Sequence, residues 1–158
     1  FNNRPYPPVC RACIEVALEL KRKWLATWPE NGPYLRQIGA MTKNGHCEIV
    51  QHVSKRVRGR CAYNDAANGY FQALLADAAK SALRRISKEC YVVRSSPLWG
   101  SRVIVFQHDE NIVEHPESIA PEAAERVGVI MVEELQRYCP DQAPACEAKP
   151  ALMRRWRR

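Results

Sequence analysis

His108, Asp109 and Glu110 stand between two runs of β-forming residues, Arg102-Val103-Ile104-Val105-Phe106-Gln107 before them and Asn111-Ile112-Val113-Glu114 after. Neighbouring carboxylates repel each other, and a divalent cation that neutralises both relieves the repulsion. Asp109 and Glu110 are therefore candidate oxygen donors to a metal. A solvated turn in which the two acids supply only polarity accounts for the same residues. Asn68 and Gln72 form a second group, one helical turn apart on what reads as the apolar side of a long helix. Amides there need partners, either in a core amide network or in a ligand held against the helix start. A third group is basic. Lys55, Arg56, Arg58 and Arg60 make one run, and Arg154, Arg155, Arg157 and Arg158 surround Trp156 at the other end. Such runs hold phosphates without reading base sequence, or else form a solvated surface.

The seven cysteines, at positions 10, 13, 47, 61, 90, 139 and 146, are odd in number and irregular in spacing, which argues against a disulfide framework. Cys10-x-x-Cys13 has the spacing that opens a zinc site, but the second pair is missing and His46-Cys47 does not supply it. Buried free thiols are the expectation.

Placing the acids and amides falls to a few elements. Val103, Val105, Ile112 and Val113 favour a pleated, covered surface, so residues 102–114 are predicted to form a β-hairpin whose His-Asp-Glu turn lifts the carboxylates out of the sheet. Residues from about 65 to 88, rich in Ala and Leu and free of proline, are predicted to be the strongest helix. Asn64 or Asp65 can cap it, and Phe71, Leu75, Ala78, Ala82 and Ile86 fall in one stripe that reads as its core face. After Pro5, Pro7 and Pro8, residues 9–28 form an amphipathic helix with Ile14, Ala17, Leu18 and Leu25 on one side and Lys21, Arg22 and Lys23 on another. Asn31-Gly32-Pro33 reads as a turn before a short helix from Tyr34 to about Met41. Residues 42–60 read as a loop or a short irregular hairpin. Ser95-Ser96-Pro97 breaks the chain and Pro116 ends the hairpin. Pro121 opens a helix to about 138 with Ala124, Val127, Met131 and Leu135 as its buried line. The tail from 140 to 150 is loop-like. This order predicts an α+β fold with long helices on a small antiparallel sheet.

With 158 residues the chain is one domain's worth, and its 24 Lys and Arg against 17 acids give a net charge of +7. That excess favours a polyanionic partner. No window reaches the roughly 18 apolar residues that span a bilayer, and a soluble, intracellular protein is expected.

Three blocks resemble the C-terminal part of family A DNA polymerases, particularly those of phages. The first, residues 63–80, contains Asn68-Gly69-Tyr70-Phe71-Gln72-Ala73-Leu74-Leu75-Ala76-Asp77-Ala78-Ala79-Lys80, similar to the family's helix N-x-x-x-Q-(G/A)-x-x-A-D-x-x-K. The second is Ser96-Pro97-Leu98-Trp99-Gly100-Ser101-Arg102 leading into Phe106-Gln107-His108-Asp109-Glu110, which resembles the third polymerase motif. The third, Glu147-Ala148-Lys149-Pro150-Ala151-Leu152-Met153-Arg154-Arg155-Trp156, is similar to the family's last residues. The blocks keep the family's order and spacing and cover the chain from about residue 55 onward.

The resemblance implies that residues 1–158 are the C-terminal portion of a polymerase catalytic domain, the palm with the adjoining end of the fingers. The implied activity is template-directed nucleotidyl transfer with two magnesium ions, on primer-template DNA and deoxynucleoside triphosphates, in the cytoplasm of a bacterial or phage-infected cell. Asp109 then becomes a magnesium ligand, Glu110 its weaker neighbour, and His108 a contact to the primer terminus. Asn68 and Gln72 become donors to the minor-groove acceptors that every base pair presents. Lys55, Arg56, Arg58 and Arg60 become phosphate contacts. Asn64 stands where many members carry Arg four residues before the Asn; it becomes a DNA contact without that charge, which Arg58 or Arg60 can supply in its place. The family's first acid motif and nucleotide-binding fingers helix have no counterpart in these residues. The chain is thus expected to be a fragment or one half of a split enzyme that needs an N-terminal half. A noncatalytic basic DNA-binding module derived from a palm is the alternative. A small nuclease using Asp109, Glu110 and Asp77 is disfavoured, because Asp77 lies about 140° around the helix from Gln72.

Overall fold

The computed structural model describes residues 10–140 and 147–154. Pro5, Pro7, Pro8, Cys146, Arg155, Trp156, Arg157 and Arg158 lie outside the described residues. The architecture is α+β. In chain order it comprises α1 (Arg11–Thr27), α2 (Asn31–Met41), β1 (Cys47–Val50), β2 (Val57–Cys61), α3 (Tyr63–Tyr91), β3 (Arg102–Gln107), β4 (Glu110–Glu114) and α4 (Ala120–Tyr138), with a 3₁₀ turn at Glu117–Ile119. The strands pair as two separate hairpins, β1 with β2 and β3 with β4. The chain divides into two units, residues up to Cys47 with Arg60–Ala67, and Glu48–Gly59 with Asn68–Arg158.

In the first unit, the expected turn at Asn31-Gly32-Pro33 is instead the first turn of α2. A proline there forgoes only an amide that a helix start leaves unpaired. Ile38 is buried on this helix, and the Tyr34 hydroxyl donates to the Ala67 carbonyl at 2.6 Å. Helix α1 forms close to its expected bounds but buries no residue.

The core of the second unit lies between the second half of α3 and α4, where Ala82, Ile86 and Cys90 meet Ala123, Val127 and Ile130, with Leu98 beside them. Two ion-pair clusters fasten the helices in antiparallel register. Arg126 grips Glu89 through two bonds of 2.6 and 2.8 Å, and the Ser96 hydroxyl donates to the same carboxylate at 2.8 Å. Eight residues earlier on α3, Ser81 donates to Glu134 at 2.6 Å, and Arg85 pairs with Glu133 at 2.6 Å. The buried line of α4 is rotated by about one residue from expectation. Ala123 and Ile130 are the fully covered positions, Ala124 and Val127 are buried, and Met131 and Leu135 lie at the margin.

The stripe expected on α3 is covered only over its second half. Ala78, Ala82 and Ile86 are buried, whereas Phe71 and Leu75 are 56% and 54% exposed. Helix α4 is shorter than α3 and is bonded to it from Ser81 onward, and the earlier part of that face stays more than half exposed. The opposite face of the same stretch is covered by the first hairpin. Ile49 packs so closely on Gly69 that a Cβ there would come within 2.5 Å of the Ile49 Cδ1, so a larger residue would force the Ile49 side chain to shift. Gln51 donates to the Gly69 carbonyl at 2.9 Å.

Candidate functional site

The second hairpin is seated on the α3–α4 core by Val103 and Val113, which pair across it. Its base is further held by the Tyr91 hydroxyl, which accepts from the Val103 amide at 3.1 Å, and by an Arg102–Glu114 pair at 2.6 Å. Between Val103 and Val105 the register shifts, so that Ile104 is an extra residue and β3 bulges. Beyond the bulge Val105 faces Ile112, Phe106 faces Asn111 and Gln107 faces Glu110.

Gln107–Glu110 pairing leaves His108 and Asp109 as a two-residue turn. Glu110 is thus the first residue of β4, not part of the turn as expected. His108 has φ +55°, a left-handed conformation that costs a residue with a Cβ about 1 kcal/mol and is normally given to Gly or Asn. Two-residue hairpins need such a φ because their turns must match the strand twist. His108, Asp109 and Glu110 are all exposed, and among the described residues neither acid has an ion-pair partner.

Asp109 and Glu110 both line a groove of about 1370 Å³ bounded by β4, α4 and residues 147–154. Its other acids are engaged. Glu114 pairs with Arg102 at 2.6 Å, Glu117 with Arg154 at 3.4 Å and Glu147 with Lys149 at 3.0 Å. The segment 147–154 lies against α4 at Gly128, where an added Cβ would meet Pro150 Cδ at 3.6 Å, an ordinary contact distance.

Asn111, beside Glu110 in the same groove, was not marked by the sequence pattern. Its Nδ2 and Oδ1 are both buried, and neither finds a hydrogen-bond partner among the described residues. An unsatisfied buried amide of this kind costs about 1–3 kcal/mol. The sequence sets it apart only as a polar residue between Glu110 and the β-branched pair Ile112-Val113. Next to the groove His115 is half-buried, its Nδ1 2.8 Å from the Ser101 hydroxyl, and burial pushes its pKa down.

Asn68 and Gln72 are exposed, so neither belongs to a core amide network. They share the exposed face of α3 with Phe71 and Leu75. Asn64 and Asp65 are first-turn residues, because α3 starts at Tyr63. Of the basic run, Lys55, Arg58 and Arg60 are exposed, and Lys55 and Arg60 have φ of +58° and +55°. Arg56 is committed within the protein. It pairs with the buried Asp77 at 2.8 Å and donates to the Ala73 carbonyl at 3.3 Å, while Ser54 donates to Asp77 at 2.6 Å. Asp77 therefore clamps the first hairpin to α3 and takes no part in the groove.

Among the described residues no three His, Cys, Asp or Glu side chains converge as a metal-binding group. Asp109 and Glu110 suit magnesium in donor type, as hard carboxylate oxygens, but alone supply fewer ligands than an octahedral ion takes. Of the thiols, Cys61 and Cys90 are buried as expected, whereas Cys10 and Cys13 are exposed. No helix of the described residues is long and apolar enough to cross a membrane. Comparison with known proteins finds no matching family model, no matching curated protein and no matching solved structure.

Proposed function

We propose that this chain is the C-terminal palm segment of a family A DNA polymerase, contributing one acid site to template-directed nucleotidyl transfer. The observation that carries the reading is the pair Asp109 and Glu110, exposed and without ion-pair partners among the described residues, at the tip of a hairpin whose base is packed on a core. Catalytic carboxylates need that combination of rigid placement and open coordination. The order and spacing of the three sequence blocks support the same reading.

In this reading Asp109 ligates magnesium, with Glu110 assisting from the first position of β4. Magnesium, when bound, stabilises the charge that develops on the attacking and leaving oxygens. His108 contacts the primer backbone. Asn68 and Gln72 donate to the minor groove of the newest base pairs, and the apolar surface of Phe71 and Leu75 beside them lies against the sugar edges. Lys55, Arg58 and Arg60 hold phosphates, with Arg56 serving mainly to position their loop through Asp77.

The test is nucleotide incorporation on a primed template with magnesium, by this chain alone and mixed with a family A N-terminal half. Incorporation is expected only in the mixture, and Asp109→Ala should reduce it by about a thousandfold while DNA retention changes little. Glu110→Ala should reduce it less. Undiminished incorporation by the Asp109→Ala mixture would remove the acid from the site. DNA binding without incorporation in any mixture would favour the noncatalytic basic module.

A further inference from the structure

At the start of α1 two thiols meet outside the site described above. Cys10 is the N-cap of the helix, with extended backbone (φ −72°, ψ 153°), and its Sγ accepts the Cys13 backbone N–H at 3.3 Å. The Cys13 thiol lies 2.9 Å from the Cys10 sulfur, and both residues are exposed. We propose that Cys10 and Cys13 form a reactive dithiol that exchanges with small disulfides of the glutathione class and closes to an intrachain disulfide.

The two sulfurs have different roles. The unpaired amides of a helix's first turn favour negative charge, and the N-cap sulfur is where they converge. Hydrogen bonds from the Cys13 thiol and backbone amide hold the Cys10 thiol below the ordinary thiol range, while donating to Cys10 pushes the Cys13 thiol up. Cys10 is therefore the attacking sulfur. Its thiolate displaces one half of the small disulfide, forming a mixed disulfide and releasing one thiolate, which takes a proton from water. Cys13 then loses its proton, attacks the Cys10 sulfur and releases the second half as a thiol. The two protein thiols are oxidised by two electrons, and one small disulfide is reduced to two thiols. A structural zinc needs four ligands, and no third His, Cys, Asp or Glu joins this pair among the described residues.

The experiment incubates the full chain in graded mixtures of oxidised and reduced glutathione, quenches with acid and maps the peptides. Trypsin cuts after Arg11, between the two cysteines, so the bond appears as two peptides joined through sulfur. It should form under conditions that leave the buried Cys61 and Cys90 unmodified. Cys13→Ser should accumulate a stable glutathione adduct on Cys10, formed about tenfold faster than the adduct on Cys13 in Cys10→Ser. Since both side chains are exposed, circular dichroism should show unchanged helix in either variant. Separate adducts forming at equal rates without the joined peptides, or one zinc ion bound tightly enough to protect both thiols, would overturn the proposal.

Discussion

Helices α1 and α4 carry similar apolar content over 17 and 19 residues, yet α4 buries six positions and α1 none. The difference lies in what each helix offers a partner. In α4, Ala123, Val127 and Ile130 follow helical spacing along one side, with the small Ala124 and Gly128 also buried. Arg126, Glu133 and Glu134 then fix it to α3 by ion pairs whose geometry allows one register. In α1, Ile14, Ala17, Leu18 and Leu25 also lie along one side, but its ion pairs join residues of the helix itself, and among the described residues none ties it to a neighbour. Apolar periodicity thus reports a capacity for burial, and matching small residues and polar contacts decide whether that capacity is used.

The largest effect expected from breaking this contrast is at the centre of α4. Ile130 is completely buried, so Ile130→Ala should cost about 2–5 kcal/mol in denaturant unfolding, from lost transfer energy plus an unfilled cavity. A loss below about 1 kcal/mol would mean that the α3–α4 core is not what holds this unit together.

The Glu89–Arg126 contact should come next. Arg126→Met leaves the nearly buried Glu89 with the Ser96 hydroxyl and the more distant Arg85, and should cost about 2 kcal/mol at neutral pH. The guanidinium of Arg126, helped by Ser96 and opposed by burial, holds the Glu89 carboxyl below the usual carboxylate range. A carboxylate whose folded pKa is depressed contributes stability that is present above its unfolded pKa and lost as pH falls through the folded one. His115 acts in the same direction, because burial depresses its pKa and the unfolded chain takes up its proton first, below about pH 6.5. Unfolding measured from pH 7 down to pH 3 should show a first loss from His115 and a second, at lower pH, from Glu89. The second should be absent in Arg126→Met. An unchanged acid limb in that variant would assign it to other carboxylates.

Proline and β-branched residues made much of this legible. Pro121, Pro116 and the valines of the second hairpin placed α4 and β3–β4 within a residue or two, because they act on local backbone geometry. The bulge at Ile104 was not legible, since alternation along one strand does not show its register against another. Nor was the burial of the first half of α3. Phe71, Leu75, Asn68 and Gln72 do share a face as their spacing implies, but α4 is bonded to α3 only from Ser81 onward and that face stays exposed. Asp77 was visible as a motif residue, whereas its clamp on Ser54 and Arg56 depends on a hairpin that its own helix does not encode. The same holds for Asn111, whose orphaned amide follows from the groove around it.

The smallest effect should come from α1, and it sharpens the contrast most directly. Ile14 and Leu18 are 47% and 61% exposed, so replacing either by Lys removes little apolar surface from a buried state and keeps a good helix former in place. Ile14→Lys and Leu18→Lys should each change unfolding free energy by less than about 0.5 kcal/mol. The same change at Val127, also on an apolar stripe but only 8% exposed, should destabilise by several kcal/mol, because it forces an unpaired ammonium among aliphatic side chains. Helix α1 would then be stabilised by its own backbone bonds and surface pairs such as Arg11–Glu15 at 3.0 Å, which are worth a few tenths of a kcal/mol each. A loss above about 1 kcal/mol from Leu18→Lys would show that α1 is covered in solution, and the difference between the helices would then be one of partner and not of pattern.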